Sequence, residues 1–343
     1  MTDSVLVLAW LVLAHLVADF TLQTGSIVRA KNGRGTAAVG GLLAHGLIVA
    51  ICLIPVGLAY GGPGWAFLAW SAGLHVVIDR SKVVLSRRAA ARALADAHAR
   101  HEGPQPPDHL GRAWTPAPAA LFIADQIAHL IVLGAGWAIF LMALAPQRGW
   151  VDLVNSLVGA ADPAGLHRVV GAAVVVVSLL IVNVRAASIF VSILVRPVEE
   201  AEGETHWGER SGRPVADDAP AAGGPASEPA RRWSVRIGPI DARIDARSEP
   251  VAAAPAHGPA SPALSARVGA TIGILERILV VVFVLTGTDV AIGFVIAAKT
   301  LARFRQLDDR EFAEYYLLGT LASVAVAIVT ALIARAALGT MFA

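Results

Sequence analysis

Seven histidine and aspartate side chains lie inside the first four apolar stretches long enough to cross a membrane: His15, Asp19, His45, His75, Asp79, Asp125 and His129. A charged group at the bilayer centre costs about 2.5–3.5 kcal/mol on insertion scales, so chains rarely keep several without a use for them. His15/Asp19, His75/Asp79 and Asp125/His129 are each spaced by four residues. Residues four apart share a helix face, so three helices each present a His–Asp pair on one side. Imidazole and carboxylate are ligands for zinc and other divalent first-row metals. A His and an Asp on one face can bind one ion together, or one can orient the other. Seven groups exceed a single tetrahedral site. They suit two metals, or one metal beside a general base, with Asp19 and Asp125 as the carboxylates for that work. Lys82 continues the His75/Asp79 face and could hold a phosphate or an anionic transition state. Gln23 and Gln126 adjoin the first and last pairs.

Plainer accounts exist. Polar residues in membrane helices hydrogen-bond across helices and hold bundles together. Chains of Asp and His also relay protons. For one histidine alone, interhelical hydrogen bonding is the ordinary explanation; seven such groups together favour a metal or catalytic site. The sequence has no Gly-x-x-x-x-Gly-Lys loop, no Gly-x-Gly-x-x-Gly opening a soluble βαβ unit and no Gly-x-Ser-x-Gly elbow. Cys52 is the single cysteine, which excludes a disulfide framework and a cysteine-based metal site.

The elements that must position these groups follow from composition. The 343 residues are 56% hydrophobic and 16% charged, against roughly 25% charged in soluble domains. The expected fold is all-α, a polytopic helical membrane bundle with about eight transmembrane segments, or seven, at about 20 apolar residues per span. The first five spans are read at 4–22, 38–58, 64–84, 117–144 and 168–195. Arg29, Lys31 and Arg34 follow the first span, and Arg87, Arg88, Arg92, Arg100 and Arg112 follow the third; the other two loops are nearly uncharged. Positive loops stay cytoplasmic, which places the N-terminus outside. The first span lacks the preceding basic residues of a secretory signal. In this topology all seven groups fall in one slab of the inner half of the membrane, at about 1.5 Å rise per residue.

Four regions result: a four-helix module over 1–145 carrying the His/Asp site, a fifth membrane helix within 146–196, a Pro/Ala-rich cytoplasmic linker over 197–266, and C-terminal membrane helices over 267–343. The linker composition predicts disorder over most of its length. Trp233, Val235 and Ile237 alternate with polar residues and allow a small hairpin. A cytoplasmic partner would bind through this linker; net charge is only +2, and no nucleic-acid partner is expected. The apolar run Val268–Ala298 is too long for one straight span, and Gly287-Thr288-Asp289 predicts a turn. Glu276 and Arg277 are adjacent and need separate partners, with Arg185 and Asn183 as candidates for Glu276. Lys299, Arg303, Arg305 and Arg310 are expected at the cytoplasmic surface, against anionic lipid or paired with nearby acids. The segment 87–100 is expected to lie as a helix on the inner surface. His98, His101, His109, His167, His206 and His257 are read as solvated.

His15-Leu-Val-Ala-Asp19-Phe-Thr-Leu-Gln23, His75-x-x-x-Asp79-x-x-Lys82 and Asp125-Gln126-x-x-His129 resemble the signature of an uncharacterised bacterial inner-membrane family, domain of unknown function 3307. The resemblance covers about 4–145. Gly273–Thr320, with Glu276-Arg277, Ala291-Ile292-Gly293-Phe294 and Ala297-Ala298-Lys299, resembles the end of longer members. It implies an architecture and a site, and no activity.

Three functions fit. The first is a divalent-metal-dependent hydrolase of a lipid or lipid-linked phosphate, with His15, Asp19, His45, His75, Asp79, Asp125 and His129 as the ligand pool and Asp19, Lys82 and Asp125 acting on substrate. The second is a proton or metal-ion transporter through the same layer. The third is a non-catalytic regulator or scaffold. The topology makes a direct prediction: single cysteines placed in loops 23–37 and 85–116 of a Cys52→Ala chain react with an impermeant thiol reagent only from the cytoplasmic side. Labelling of 85–116 from outside would reverse the orientation.

Overall fold

The computed structural model describes residues 4–99, 114–158, 163–195, 232–237, 240–245 and 262–342. The chain divides into two compact units, 1–200 with 268–343, and 201–267. The first is a multi-pass helical membrane bundle, and six of its helices are long and apolar enough to cross a bilayer.

Helix α1 (Ser4–Leu16) runs into a π-helical turn over Val17–Leu22. A short helix α2 (Gly25–Lys31) follows, then α3 (Gly35–Tyr60), α4 (Gly62–Ala99) and α5 (Ala117–Phe140). Helix α4 is the third expected span but falls outside the six, because His75, Asp79, Pro63 and its glycines dilute its hydropathy. Its packing is nevertheless that of an inner helix. Phe67, Ser71, His75, Asp79 and Val83, one every fourth residue, are all buried. Such a stripe is the contact face of a helix between neighbours.

Two expectations around the first five spans need correction. Residues 87–99 form no separate surface helix; they continue α4 without a break. This Ala- and Arg-rich stretch holds no Gly or Pro to turn the axis. Region 146–196 holds more than one helix. Helix α6 (Arg148–Val158) has only 11 residues, about 16 Å of rise, too short to span. The fifth span is then α7 (Pro163–Ile181), a second π-helical turn (Val182–Ala186) and α8 (Ala187–Val195).

Helix α9 (Pro262–Thr286) ends at Gly287, whose φ of 71° reverses the chain, and α10 (Val290–Ala302) begins after Asp289. Residues of α10 come back along α9, as the Lys299 Nζ to Glu276 Oε2 distance of 2.6 Å requires. The turn expected at Gly287–Asp289 is present, and so is the return. Helix α11 (Arg310–Phe342) closes the unit. Its Ala327, Ala331 and Ala334 are buried against Val175 and Leu179 of α7 and Val280, Val281 and Val284 of α9. Small residues let membrane helices approach closely where hydrophobic transfer supplies no net drive. A separate core joins α1, α3, α4 and α5 through Leu11, Val49, Leu53, Phe67 and Leu133.

The ion pairing in the C-terminal helices differs from expectation. Glu276 pairs with Lys299 and not with Arg185 or Asn183. Lys299 therefore does not face lipid headgroups; it is largely buried and also lies 5.4 Å from the Tyr316 ring centroid. Arg277 reaches Asn183 instead, donating Nε–H to its carbonyl at 2.6 Å, with further bonds to Ser188 and Ser323 hydroxyls. Arg277 thus binds a carbonyl inside the second π-helical turn. Arg310 pairs with Glu314 at 2.9 Å on the exposed surface.

In the second unit, β1 (Arg232–Ile237) and β2 (Ile240–Asp245) pair antiparallel, with Trp233 opposite Ile244 and Ile237 opposite Ile240. The hairpin alternative thus holds for these residues of the linker. The rest of 196–261, the loop 100–113 and the side chains of the six peripheral histidines lie outside the described residues.

The α9–α10 pair predicts a specific stability pattern. Lys299→Met strands Glu276 and lowers stability by about 3 kcal/mol, the scale for breaking a buried pair. Lys299→Met/Glu276→Gln recovers most of the loss. Detergent-denaturation curves of both variants check this; equal losses would mean the pair contributes nothing.

Candidate metal centre

Four helices carry the candidate residues to one place. Asp19 sits in the π-helical turn that follows His15. Helix α3 supplies His45, α4 supplies His75, Asp79 and Lys82, and α5 supplies Asp125, Gln126 and His129. None of the seven His and Asp side chains is more than 8% exposed. Unpartnered polar groups in the apolar interior cost several kcal/mol each, so helices bearing them are driven to share a centre.

The centre is an Asp and two His nitrogens. Asp19 Oδ1 lies 3.3 Å from His45 Nε2 and 3.3 Å from His75 Nε2, and those nitrogens are 2.9 Å apart. Asp79 Oδ2 stands 3.5 Å from His45 Nε2. Ligands at about 2.0–2.1 Å from a tetrahedral zinc are separated by about 3.3 Å. The Asp19–His45–His75 triangle has nearly that size. Asp19 Oδ1 accepts no hydrogen bond despite its two close imidazoles. Buried groups that could hold an ion include His15, Asp19 and His75, then His45, His75 and Asp79, then Asp79, Asp125 and His129.

The surrounding bonds fix two ring tautomers. Gln126 donates Nε2–H to Asp125 Oδ2 at 3.0 Å, which turns its Oε1 toward His15 Nε2 at 3.3 Å. His15 therefore donates from Nε2 and keeps a lone pair on Nδ1. That nitrogen is 3.8 Å from Asp19 Oδ1. A cation between these two buried acceptors, a proton or a metal ion, would satisfy both. His129 donates Nδ1–H to the Asp125 carbonyl at 2.8 Å, which leaves a lone pair on Nε2. That Nε2 is buried and has no hydrogen-bond partner. Each ring is thus held through one nitrogen with the other free to ligate, the usual arrangement for metal-bound histidine. A cavity of about 10 Å³ lies against His15, His75, His129 and Ser71, with Ala14, Val49, Leu53, Val132 and Leu133 as its apolar walls. It is the size of one water molecule.

Two lysines balance the carboxylates. Lys82 Nζ lies 2.7 Å from Asp125 Oδ2 and over the Phe122 ring at 4.9 Å. Its side chain is 25% exposed, against 8% or less for the seven His and Asp side chains. Lys31 Nζ lies 2.8 Å from Asp79 Oδ2 and is buried. The sequence reading placed Lys31 in a basic cytoplasmic loop and missed this. The available signal is charge: three carboxylates fall at one depth, and Lys82 is the one cation that continues their helix faces. Lys31 ends α2, which rests on Gly41 of α3. A Cβ at Gly41 would stand 2.5 Å from the Lys31 backbone nitrogen. Arg87 clamps the far side by donating to the carbonyls of Asn32 and Gly33.

This packing predicts that Gly41→Leu pushes α2 off α3 and separates Lys31 from Asp79. The expected cost is about 3 kcal/mol, from overpacking and a stranded carboxylate. Gly40→Leu, at a position with open space around it, leaves stability unchanged. Detergent-denaturation midpoints of the two variants test the difference; equal midpoints would remove Gly41 from this role.

No curated protein and no solved structure matches the chain. Residues 7–158, the stretch that holds the whole His/Asp cluster, match the family described as Protein of unknown function (DUF3307).

Proposed function

We propose that the cluster is the divalent-metal centre of a membrane hydrolase acting on a lipid or lipid-linked phosphate. The observation that carries the reading is the triangle of Asp19 Oδ1, His45 Nε2 and His75 Nε2, at 3.3, 3.3 and 2.9 Å. Asp79 and His15 are the further ligands within reach. A divalent cation there would lower the pKa of a bound water and polarise a phosphoryl oxygen. The residues around it have separate tasks. Asp125 and His129, hydrogen-bonded to each other through the Asp125 carbonyl, take up and return the proton of an attacking water. Lys82, partly exposed beside Asp125, meets the substrate's anionic group. A substrate embedded in the bilayer suits a site at membrane depth, because its headgroup reaches the cluster without leaving the lipid.

Proton transfer is the second reading, and one observation favours it. The imidazoles form a contiguous file, with centroid separations of 4.8 Å for His45–His75, 4.1 Å for His75–His129 and 4.9 Å for His129–His15. Such files relay protons in membrane proteins.

The readings separate on one experiment. The purified full chain is assayed for phosphate release from lipid phosphates, with and without a chelator, beside His45→Ala/His75→Ala. The hydrolase reading expects release that the chelator abolishes and zinc or manganese restores. The double variant inserts normally but loses at least about 100-fold of the rate, as removal of metal ligands does. Proton flux in vesicles that persists under chelation, with no hydrolysis, would replace it with the relay.

A further inference from the structure

Three metal-ligand sets are present, but two of the three carboxylates already have a cation. The set Asp79, Asp125 and His129 is built from buried groups within reach of one another. Its carboxylates hold Lys31 at 2.8 Å and Lys82 at 2.7 Å. Two ammonium groups bring the charge of one divalent ion. Both are tethered, Lys31 by the Gly41 contact and the Arg87 clamp, Lys82 by its own helix and the Phe122 ring. Among the described residues no lysine pairs with Asp19: its close neighbours are the imidazoles of His15, His45 and His75.

We infer that Lys31 and Lys82 stand in for a second divalent cation, so that the centre binds a single metal ion, on Asp19 and its histidines. The inference rests on the metal-centre reading and deepens it. It also defines the substrate's charge. Counting imidazoles as neutral, Asp79 with Lys31 and Asp125 with Lys82 are each neutral pairs. A divalent ion on Asp19 then leaves one positive charge in a low-dielectric site. Such an excess needs an anion, and one unit of it matches a singly charged oxyanion such as a phosphodiester. A two-metal centre with the lysines present would carry three positive charges and would match a phosphomonoester dianion better.

The test is metal stoichiometry. The full chain in detergent is saturated with zinc, passed through a desalting column and analysed for zinc per chain by mass spectrometry. Asp19→Asn/His45→Ala/His75→Ala, handled identically, gives the surface background to subtract. Wild type retains about one zinc, and Lys31→Met/Lys82→Met, with Asp79 and Asp125 released, rises to about two, the number a paired-carboxylate centre takes. Lys31→Arg/Lys82→Arg, which keeps the charges, stays at about one by the same count. Two zinc ions in wild type would overturn the inference and leave the metal reading standing. So would one zinc in both wild type and the Met variant. No zinc above background in wild type would overturn both readings. If the Met variant does not fold, the wild-type count alone separates one ion from two.

Discussion

Charge balance inside the membrane is the constraint on which this architecture depends. Asp19, Asp79 and Asp125 are buried at one depth, where an ionised carboxylate without a partner costs several kcal/mol. The structure meets that cost by bringing four helices and one short connecting helix to a common centre. Lys31 answers Asp79 and Lys82 answers Asp125. Among the described residues, Asp19 is answered only by imidazoles. The remaining uncompensated charge sits where three histidine nitrogens converge, and the proposed divalent ion would balance it there. The helix packing, the Gly41 notch and the Gln126 bridge between His15 and Asp125 follow from the same need.

The same logic governs the C-terminal helices on a smaller scale. Arg277 is buried and bonds to one backbone carbonyl and two hydroxyls, while its sequence neighbour Glu276 faces Lys299. Adjacent residues point to different sides of a helix, so the two charges cannot neutralise each other directly. Each recruits a partner from another element, which fixes the return of α10 along α9 and the docking of α9 against the π-helical turn at Asn183. These contacts order the bundle.

Much of the site was legible because helical periodicity is a local property. His15/Asp19, His75/Asp79 and Asp125/His129 declare shared faces by spacing alone, and positive loops set their depths. His45 has no carboxylate four residues away and is placed by sequence depth alone; its side chain is buried. Lys31 was not legible, since its burial depends on a close approach between α2 and α3 that spacing does not encode. Neither π-helical turn could be read, because each is fixed by partners distant in sequence. The partner of Glu276 was misassigned for a similar reason: Asn183 and Arg185 shared its depth, but the reversal at Gly287 brought Lys299 nearer. Helix α6 was hidden in a segment read as a loop, being too short to register as a span.

The central claim is that Asp19, His45 and His75 bind one divalent ion together. Anomalous diffraction at the zinc edge, from crystals of the full chain grown with zinc, tests it most directly. The account predicts a single peak inside the bundle at about 2.0–2.2 Å from Asp19 Oδ1, His45 Nε2 and His75 Nε2. Zinc found only at surface histidines, with Asp19 and the imidazoles undisturbed around no ion, would contradict it.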